Sequence, residues 1–393
     1  MSSDSLEIRP LAGESELAEL AKIESWAFGP SPDDCAGWLS RAGLPNVRVA
    51  LRGGRVLGGL LLVPMGQWFG GRSVPMTGVA GVAVAPEARG EGVARQLMAR
   101  VVRELREQGT AISTLYPATL PLYRHAGYEL AGARYQASLT PDRISIRERE
   151  LVVRELGAAD QIAVAELYAE RARARNGTLD RGEYIWNRVR SPRNDPARGY
   201  GVEADGHLEG YVYVREKQLA AIAYELHLSD FVARTPRAVR RLWAFLGDHR
   251  SLAQKIVFHA DPSDPLLLEL PERGYAVELN HYWMIRVVDS KAALEARGYP
   301  KGLVARLELE VRDELLEREP VRLRLRVEAG HASVEAGGTG ALALDVRGLA
   351  ALYSGFASTD TLALRGQLTG DPESRAVADA MFAGPNPHMP DMF

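Results

Sequence analysis

Cysteine is nearly absent from this 393-residue sequence, which contains only Cys35. A single cysteine cannot form a disulfide within the chain, so the composition favours a reducing compartment, and we expect the cytoplasm. No signature of a catalytic cysteine surrounds Cys35, so a nucleophilic role is not expected. The segment from Met1 to Pro10 is polar and carries acids, which is not typical of a secretory signal peptide.

Three further features are missing, and each absence argues against one class of function. The apolar stretch from Val56 to Met65 is far shorter than the roughly 20 residues that span a bilayer, so no membrane partner is expected. The formal net charge is -3 and no long basic run occurs, so no nucleic-acid partner is expected. The 8 histidines are dispersed without metal-binding spacing, so no metal is expected.

The first part of the chain alternates strand and helix patterns. Leu6 to Leu11 alternates apolar and polar residues as a short strand does, and Ser15 to Ile23 places apolar residues on one helical face. Two apolar runs, Val47 to Leu51 and Val56 to Val63, are separated by Gly53-Gly54. This spacing predicts a β-hairpin.

A second copy of this pattern begins near Leu151. The segment from Leu151 to Leu156 resembles the opening strand at an offset of 151 − 6 = 145 residues. Farther along, Gly274-Tyr275 resembles Gly127-Tyr128 at an offset of 274 − 127 = 147 residues. A nearly constant offset over several elements predicts a duplicated domain.

The last part of the chain has a different pattern. Val304 to Val311 and Val321 to Val327 alternate apolar and charged residues, which predicts strands with one solvated face. Short helices are predicted at Val346 to Tyr353 and Ser374 to Met381, and the proline-rich tail from Gly384 is expected to be irregular. We therefore expect an α+β fold with mixed sheets and three domains, at residues 1–150, 151–288 and 289–393.

The most informative segment is a strand, a glycine-rich turn and a helix. Val79 to Val84 has a buried-strand pattern, and apolar residues at every fourth position predict a helix from about Gly92 to Gln108. Between them, glycines allow close backbone approach, and the first N–H groups of the helix lack internal partners. Such a turn suits a phosphate group. A plain strand-to-helix turn is the alternative.

The turn excludes two common phosphate-binding motifs and matches a third. It lacks the Gly-Lys-Ser/Thr of a Walker loop and the third glycine of a GxGxxG fingerprint. It matches the pyrophosphate signature of GNAT acetyltransferases as Arg89-x-x-Gly92-x-Ala94. The second copy has no glycine between Ser229 and Pro236, so we expect that domain not to bind coenzyme A.

A second motif carries two tyrosines, in the segment from Leu122 to Tyr128. An amine that attacks a thioester expels a thiolate, which a tyrosine hydroxyl can protonate because tyrosine has a pKa of about 10 and a thiol about 8.5. Tyr123 is the candidate general acid, with a packing role as the alternative. Tyr128 starts a strand after Gly127 and is expected to pack in the core.

These motifs together resemble the Eis (enhanced intracellular survival) family of N-acetyltransferases over the whole chain. The residues that carry the resemblance are Val82-Ala83-Val84, the turn from Arg89 to Ala94, Tyr123 with Gly127-Tyr128, and the terminal Phe393. The resemblance implies tandem GNAT domains of which only the first is intact, a sterol-carrier-like C-terminal domain, and a homohexamer.

The resemblance also implies roles for particular residues with acetyl-CoA as co-substrate. Tyr123 would be the general acid, and the α-carboxylate of Phe393 would receive the proton of the substrate amine. A frayed terminus is the usual alternative for a chain end. The residues implied in cofactor binding are Val82, Ala83, Val84, Arg89, Gly90, Glu91, Gly92, Val93, Ala94, Arg95, Ala118 and Thr119.

Aromatic and acidic residues near the expected substrate entrance suggest the kind of acceptor. Aromatic faces beside carboxylates suit a cationic amine, although such aromatics also serve in cores and interfaces. The segment Arg124-His125-Ala126 departs from relatives that carry Phe before the glycine. The substrate-binding candidates are Glu24, Trp26, Phe28 and Trp38, with Asp33 and Asp34 among them.

The expected function is acetyl transfer to primary amines of a small polycationic acceptor, by direct attack on the thioester. The acceptor could be aminoglycoside-like, a polyamine or a lysine side chain. A non-catalytic protein that holds an apolar ligand in its last domain is the alternative of another class.

Overall fold

The computed structural model describes residues 5–393, whose contacts divide them into two units. The first unit contains the described chain up to Gly132, residues 283–387 and Phe393. The second contains residues 133–282 and 388–392. None of the helices within residues 5–393 is both long enough and apolar enough to cross a membrane.

The elements follow the two copies and the C-terminal part in order along the chain. The first copy contains β1 Glu7–Pro10, α1 Glu14–Phe28, α2 Pro32–Arg41, β2 Val47–Arg52, β3 Arg55–Phe69, β4 Arg72–Val84, α3 Val93–Glu107, β5 Ile112–Leu115, α4 Leu120–His125 and β6 Glu129–Leu139. The second copy contains β7 Val152–Glu155, α5 Gln161–Arg173, β8 Leu179–Asp180, α6 Glu183–Arg190, β9 Arg198–Ala204, β10 His207–Gln218, β11 Tyr224–Ala233, α7 Pro236–Gly247, β12 Ala253–Phe258, α8 Pro265–Leu268 and β13 Tyr275–Val287. The C-terminal part contains α9 Ser290–Ala296, β14 Ala305–Arg312, β15 Val321–Glu328, β16 His331–Ala336, β17 Leu342–Asp345, α10 Val346–Ser354, α11 Thr359–Leu364, β18 Leu368–Gly370 and α12 Pro372–Met381.

The first unit contains a mixed sheet in the order β1-β2-β3-β4-β5-β13. The predicted hairpin is confirmed as β2 and β3, and the predicted helix as α3, whose bounds differ from the expectation by one residue at each end. The predicted strand at Val79 to Val84 is the end of the longer β4. The missed part, from Arg72, forms a second hairpin with β3 through Gly70 and Gly71.

Helix α3 packs on this sheet with one fully apolar face. Its residues Leu97, Val101 and Leu105 are completely buried, as the four-residue spacing predicts. Helix α1 packs on β3 and β4. Together these helices bury the strands that lead to the glycine-rich turn.

The second unit has its own mixed sheet, in the order β6-β12-β11-β10-β9-β7. Its core surrounds Trp243 of α7, whose indole Nε1 donates a hydrogen bond to the Leu266 carbonyl at 2.8 Å. The C-terminal sheet, β16-β15-β14-β17-β18, belongs to the first unit. Its strands alternate buried and exposed residues as predicted, and the exposed positions form cross-strand pairs such as Arg322–Glu310.

A buried carboxylate connects the C-terminal part with the element that carries Tyr123. Glu129, at the start of β6, is fully buried and accepts hydrogen bonds from Arg124 of α4 and Arg347 of α10, each at 2.7 Å. Although burial alone would raise its pKa, the two guanidinium groups lower the pKa of Glu129 to about 2. The carboxylate is therefore charged at neutral pH and ties α4 to α10.

We expect Glu129→Gln to lower the free energy of unfolding by about 2 kcal/mol at neutral pH, because hydrogen bonds to charged groups contribute about that much. A pKa lowered from about 4.3 in the unfolded chain gives stability that is present above that pH. This stability is lost as the pH falls toward 2. Urea unfolding across this window should therefore show a weaker acid dependence in the variant.

The control for this experiment is Glu328→Gln, which removes an exposed ion pair with Arg326. It should change the free energy of unfolding by less than about 0.5 kcal/mol. An acid dependence of Glu129→Gln equal to that of the wild type would contradict the assignment.

Candidate active site

Strand β4 separates from its neighbour partway along its length. It pairs in parallel with β5 only from Met76 to Gly78. On its other side it continues to pair with β3 as far as Val84. Within residues 5–393, the edge of β4 from Val79 to Val84 therefore has no strand partner on the β5 side. Such an edge offers N–H and C=O groups to an extended ligand.

A bulge at Gly81 lies in the middle of this edge. Gly81 and Val82 together stand opposite Leu60 of β3, and Gly81 has a φ of +58°. A Cβ at Gly81 would lie 2.6 Å from Cη2 of Trp38 and 3.0 Å from Oε1 of Glu24. The missing side chain is thus what allows α1 and α2 to approach the strand here.

The turn after β4 is open and built for an anion. Gly90 has a φ of +85°, and no atom lies within 4 Å of where its Cβ would be. Gly92 is the N-cap of α3 with a φ of +79° and supplies no side-chain cap. The first N–H groups of α3 therefore remain available, and the helix dipole favours negative charge there.

Charged residues around the turn reinforce this preference. Arg89 and Arg95 are exposed on either side of the glycines. The acid between them, Glu91, is paired with Arg52 at 2.6 Å. The local charge available to a ligand is therefore positive. A diphosphate at the turn and an extended arm along β4 fit this geometry.

The remaining cofactor candidates occupy two places. The aliphatic residues Val82, Ala83 and Val84 form the end of β4, and Arg89 Nε donates to the Val84 carbonyl at 3.4 Å. Ala118 and Thr119 are exposed at the start of α4, where Thr119 is the N-cap without a side-chain hydrogen bond.

Tyr123 and Tyr128 lie beside the place where β4 and β5 part. Their ring centroids are 6.3 Å apart. The hydroxyl of Tyr128 lies 2.8 Å from Oγ of Ser113, which donates to the Thr77 carbonyl at 2.7 Å. Tyr128 is fully buried, as expected of a core residue. Tyr123 is 5% exposed, and its hydroxyl has no hydrogen-bond partner among residues 5–393.

The terminal residue Phe393 lies against the same pair of strands. A Cβ at Gly78 would stand 2.6 Å from Cε2 of the Phe393 ring. The ring centroid is 5.9 Å from that of Tyr116, which follows β5. The structure thus brings both Phe393 and the Tyr123–Tyr128 pair to the short β4–β5 pairing, Phe393 at Gly78 and the tyrosine pair at Thr77 through Ser113.

The four substrate-binding candidates separate into two groups. Glu24 and Trp38 meet at Gly81, and Glu24 is only 1% exposed. Burial raises the pKa of Glu24 to about 9. Trp26 and Phe28, near the end of α1, are 78% and 53% exposed. Only the first group lies at the open edge of β4.

The second copy differs at the equivalent turn, as its sequence predicts. Strand β11 leads almost directly into α7, whose first residue is Pro236. The side chain of Thr235 accepts a hydrogen bond from the Ala238 N–H at 3.3 Å. The helix start is therefore capped by the chain itself, and proline removes one donor.

Sequence reasoning missed two residues that support the site, Ser113 and Glu129. Ser113 lies in a short buried strand without any motif, so no sequence signal identifies it. An acid directly after Gly127-Tyr128 and before the apolar run Leu130-Ala131-Gly132-Ala133 was the available signal for Glu129.

Comparison with protein families gives each part of the chain a match. Residues 7–131 match an acetyltransferase (GNAT) domain, and residues 177–287 match a second acetyltransferase (GNAT) domain. Residues 290–390 match a sterol carrier protein domain. The expected fold class, with tandem GNAT domains and a sterol-carrier-like domain, is confirmed. The expected boundaries between the domains stay a prediction.

Solved structures match over the full length. A GCN5-related N-acetyltransferase from Anabaena variabilis is 35% identical, with a TM-score of 0.93 over 99% of this chain and 100% of that one. One from Kribbella flavida is 30% identical, with a TM-score of 0.86 over 100% and 99%. Eis1 from Mycobacterium abscessus is 25% identical, with a TM-score of 0.79 over 99% and 100%.

These matches confirm the resemblance on which the sequence analysis relied. GNAT domains use acetyl-CoA as co-substrate, and the open edge of β4 with its glycine-rich turn fits that ligand. Family membership favours an acyltransferase over a non-catalytic ligand-binding protein. Eis1 shares the fold along the whole length of the chain, and the chain belongs to the GCN5-related N-acetyltransferases.

Proposed function

We propose that the protein transfers the acetyl group of acetyl-CoA to primary amines of a small polycationic acceptor. The amine nitrogen attacks the thioester carbonyl directly. The observation that carries the proposal is the convergence of Tyr123 and Phe393 on the β4–β5 pairing, just where the β4 edge becomes free. A hydroxyl and a carboxylate at that point are the two proton-transfer groups that the reaction needs.

The cofactor is held by backbone more than by side chains. Val82 to Val84 pair with the pantetheine arm through the free edge of β4. The N–H groups from Gly90 to Arg95 hold the pyrophosphate, with Arg89 beside them. Ala118 and Thr119 flank the arm at the start of α4. These roles are supported by the open turn and by the uncapped start of α3.

Tyr123 donates the proton that the leaving thiolate needs. Burial raises the pKa of Tyr123 to about 12, so the hydroxyl stays protonated at neutral pH and is a donor rather than a base. Its hydroxyl is not engaged by another described residue. It is therefore available to the sulfur.

The α-carboxylate of Phe393 receives a proton from the amine. A terminal carboxylate has a reference pKa of about 3.5, so it is a weak base that needs a fixed position close to the nitrogen. Packing of the Phe393 ring on Gly78 and Tyr116 fixes the residue within the first unit. This packing supports the proposed role of the residue.

The residues before it are held within the second unit. Arg134 Nε donates to the Pro390 carbonyl at 2.8 Å, and Arg188 Nε donates to the Met392 carbonyl at 2.9 Å. Between these two contacts, the buried Arg181 pairs with Asp391 at 2.9 Å. The tail, residues 390–392, is thus held by two backbone carbonyl groups and by one side chain.

The acceptor class follows from the carboxyl groups and aromatics at the site. Glu24 and Trp38 at Gly81 suit a cationic amine, and Trp26 and Phe28 provide exposed aromatic surface nearby in sequence. CoA release measured with aminoglycosides, polyamines and lysine peptides tests the class of acceptor. Release with lysine peptides alone would replace the small polycation by a protein acceptor.

The glycine-rich turn can be tested through acetyl-CoA binding. Gly90→Leu should raise the Kd for acetyl-CoA at least about tenfold, because a side chain there blocks the approach of phosphate to the backbone. Gly109→Leu is the matched control: Gly109 follows α3, has a φ of +73° and also has open space at its Cβ position. Calorimetry should show an unchanged Kd for the control. Equal losses in both variants would contradict a phosphate site at Gly90.

The role of Tyr123 can be tested through turnover. Tyr123→Phe should lower kcat about a hundredfold, as loss of a general acid does, with little change in acetyl-CoA affinity. Tyr128→Phe is the control, since its hydroxyl is bound to Ser113. It should cost about 1 kcal/mol of stability and leave kcat nearly unchanged. Unchanged turnover in Tyr123→Phe would remove that residue from the mechanism.

The role of the Phe393 carboxylate can be tested by extending the chain. Extension by four glycines after Phe393 should lower kcat at least about tenfold, because the terminal carboxylate is displaced from the site. The same four residues added before Met1 serve as the control and should leave activity intact. Full activity of the C-terminal extension would refute a role for this carboxylate.

A further inference from the structure

Proton balance shows that the site proposed above needs one more group. An ammonium nitrogen must lose two protons to become an amide nitrogen, whereas the thiolate of CoA takes up one. The proposed function, on which this inference rests, provides Tyr123 for the sulfur and the Phe393 carboxylate for one proton of nitrogen. A second acceptor for the other proton of nitrogen is missing from that account.

Glu24 is a buried acid whose carboxyl group is unpaired among the described residues. Its side chain is 1% exposed, and neither Oε1 nor Oε2 has a hydrogen-bond partner among residues 5–393. A buried polar group is nearly always paired, because burial without a partner costs several kcal/mol. An unpaired buried carboxyl therefore suggests that its partner is a ligand.

The place of Glu24 is the open edge of β4. Its Oε1 would lie 3.0 Å from a Cβ at Gly81, the same point that the edge of the Trp38 indole approaches. The Phe393 ring lies at Gly78, three residues earlier on the strand and so within about 10 Å. Glu24 and the chain terminus therefore flank one stretch of β4.

The surroundings of Glu24 keep it neutral until a cation arrives. Burial raises the pKa of the Cys35 thiol on α2, and the charges of Glu24 and Asp34 add to that rise. The adjoining part of β4 has no ionisable side chain. An ammonium group would favour the carboxylate form.

We propose that Glu24 is a catalytic carboxyl that binds the reacting ammonium group of the acceptor and takes one of its protons. As the ammonium binds, the carboxyl releases its own proton to solvent and becomes the charged partner. It then accepts a proton from nitrogen, which frees the lone pair that forms the N–C bond. The half-buried Trp38 indole adds a cation–π contact.

The remaining protons balance without another reagent. After the C–S bond breaks, nitrogen gives its second proton to the Phe393 carboxylate, and Tyr123 gives its proton to sulfur. Proton return from the carboxyl of Phe393 to Tyr123 resets the site. The net reaction consumes an ammonium and a thioester and yields an amide, a thiol and one proton.

The test compares Glu24→Gln with the wild type, using kanamycin and spermidine as probes. For each probe that the wild type acetylates, calorimetry then measures binding to the protein in the presence of CoA. The measurement is made in two buffers of different ionisation enthalpy, so that the number of protons released on binding can be calculated. The wild type should release about one proton on binding near neutral pH, and the variant none. The variant should also lose about a hundredfold in kcat/KM for the amine, with the Kd for acetyl-CoA unchanged.

Each outcome has a separate meaning. No acetylation of either probe by the wild type overturns the polycationic acceptor and, with it, this role of Glu24. Acetylation by the wild type with equal proton release and kcat/KM in Glu24→Gln overturns only the role of Glu24. If Glu24→Gln fails to bind acetyl-CoA, the same measurements are made on Glu24→Asp. Because this variant retains a carboxyl group, it should keep proton release and part of the activity.

Discussion

The parting of β4 from β5 at Gly78 is the constraint on which the first unit depends. A strand that kept its pairing to Val84 would satisfy its own backbone and leave no donors for a ligand. The bulge at Gly81 adds a residue to β4 and so changes the direction of the strand relative to its neighbour. The free edge of β4 brings the other parts of the candidate site together. The glycine-rich turn lies at one end of this edge, and Tyr123 and Phe393 lie at the other.

Burial disfavours the charged form of a carboxyl group, and two buried glutamates of the first unit respond to it in opposite ways. Glu129 is surrounded by arginines and stays charged, so it serves to connect α4 with the C-terminal part. Glu24 has no such partner in the part of the chain that the structure describes, and burial favours its neutral form. A fully paired carboxylate stabilises the fold, whereas an unpaired one is free to respond to a ligand.

The sequence predicts the strand, turn and helix of the cofactor site because these are local patterns. The spacing of apolar residues predicts α3, and the glycines of the turn indicate the positive φ angles that the backbone adopts there. The full length of β3 and β4 escaped prediction because Met65 to Gln67 and Thr77-Gly78 do not alternate as a half-buried strand does. Pairing with the neighbouring strand, rather than local sequence preference, determines that these residues form β-strands.

Long-range contacts could not be predicted from periodicity. The burial of Glu24 depends on Trp38 and Gly81, which are distant in sequence, and the exposure of Trp26 shows that an aromatic residue on the same helix need not share that environment. The position of Phe393 was expected only through the family resemblance. No local signal distinguishes an ordered terminus from a frayed one.

The anchored tail has a consequence for how its sequence can vary. Arg134 and Arg188 hold it through the carbonyl groups of Pro390 and Met392, and every residue type has a backbone carbonyl. These two contacts therefore do not depend on which side chain occupies either position. Asp391 differs, because its replacement would take one of two carboxylate partners from the buried Arg181 and leave it Asp230.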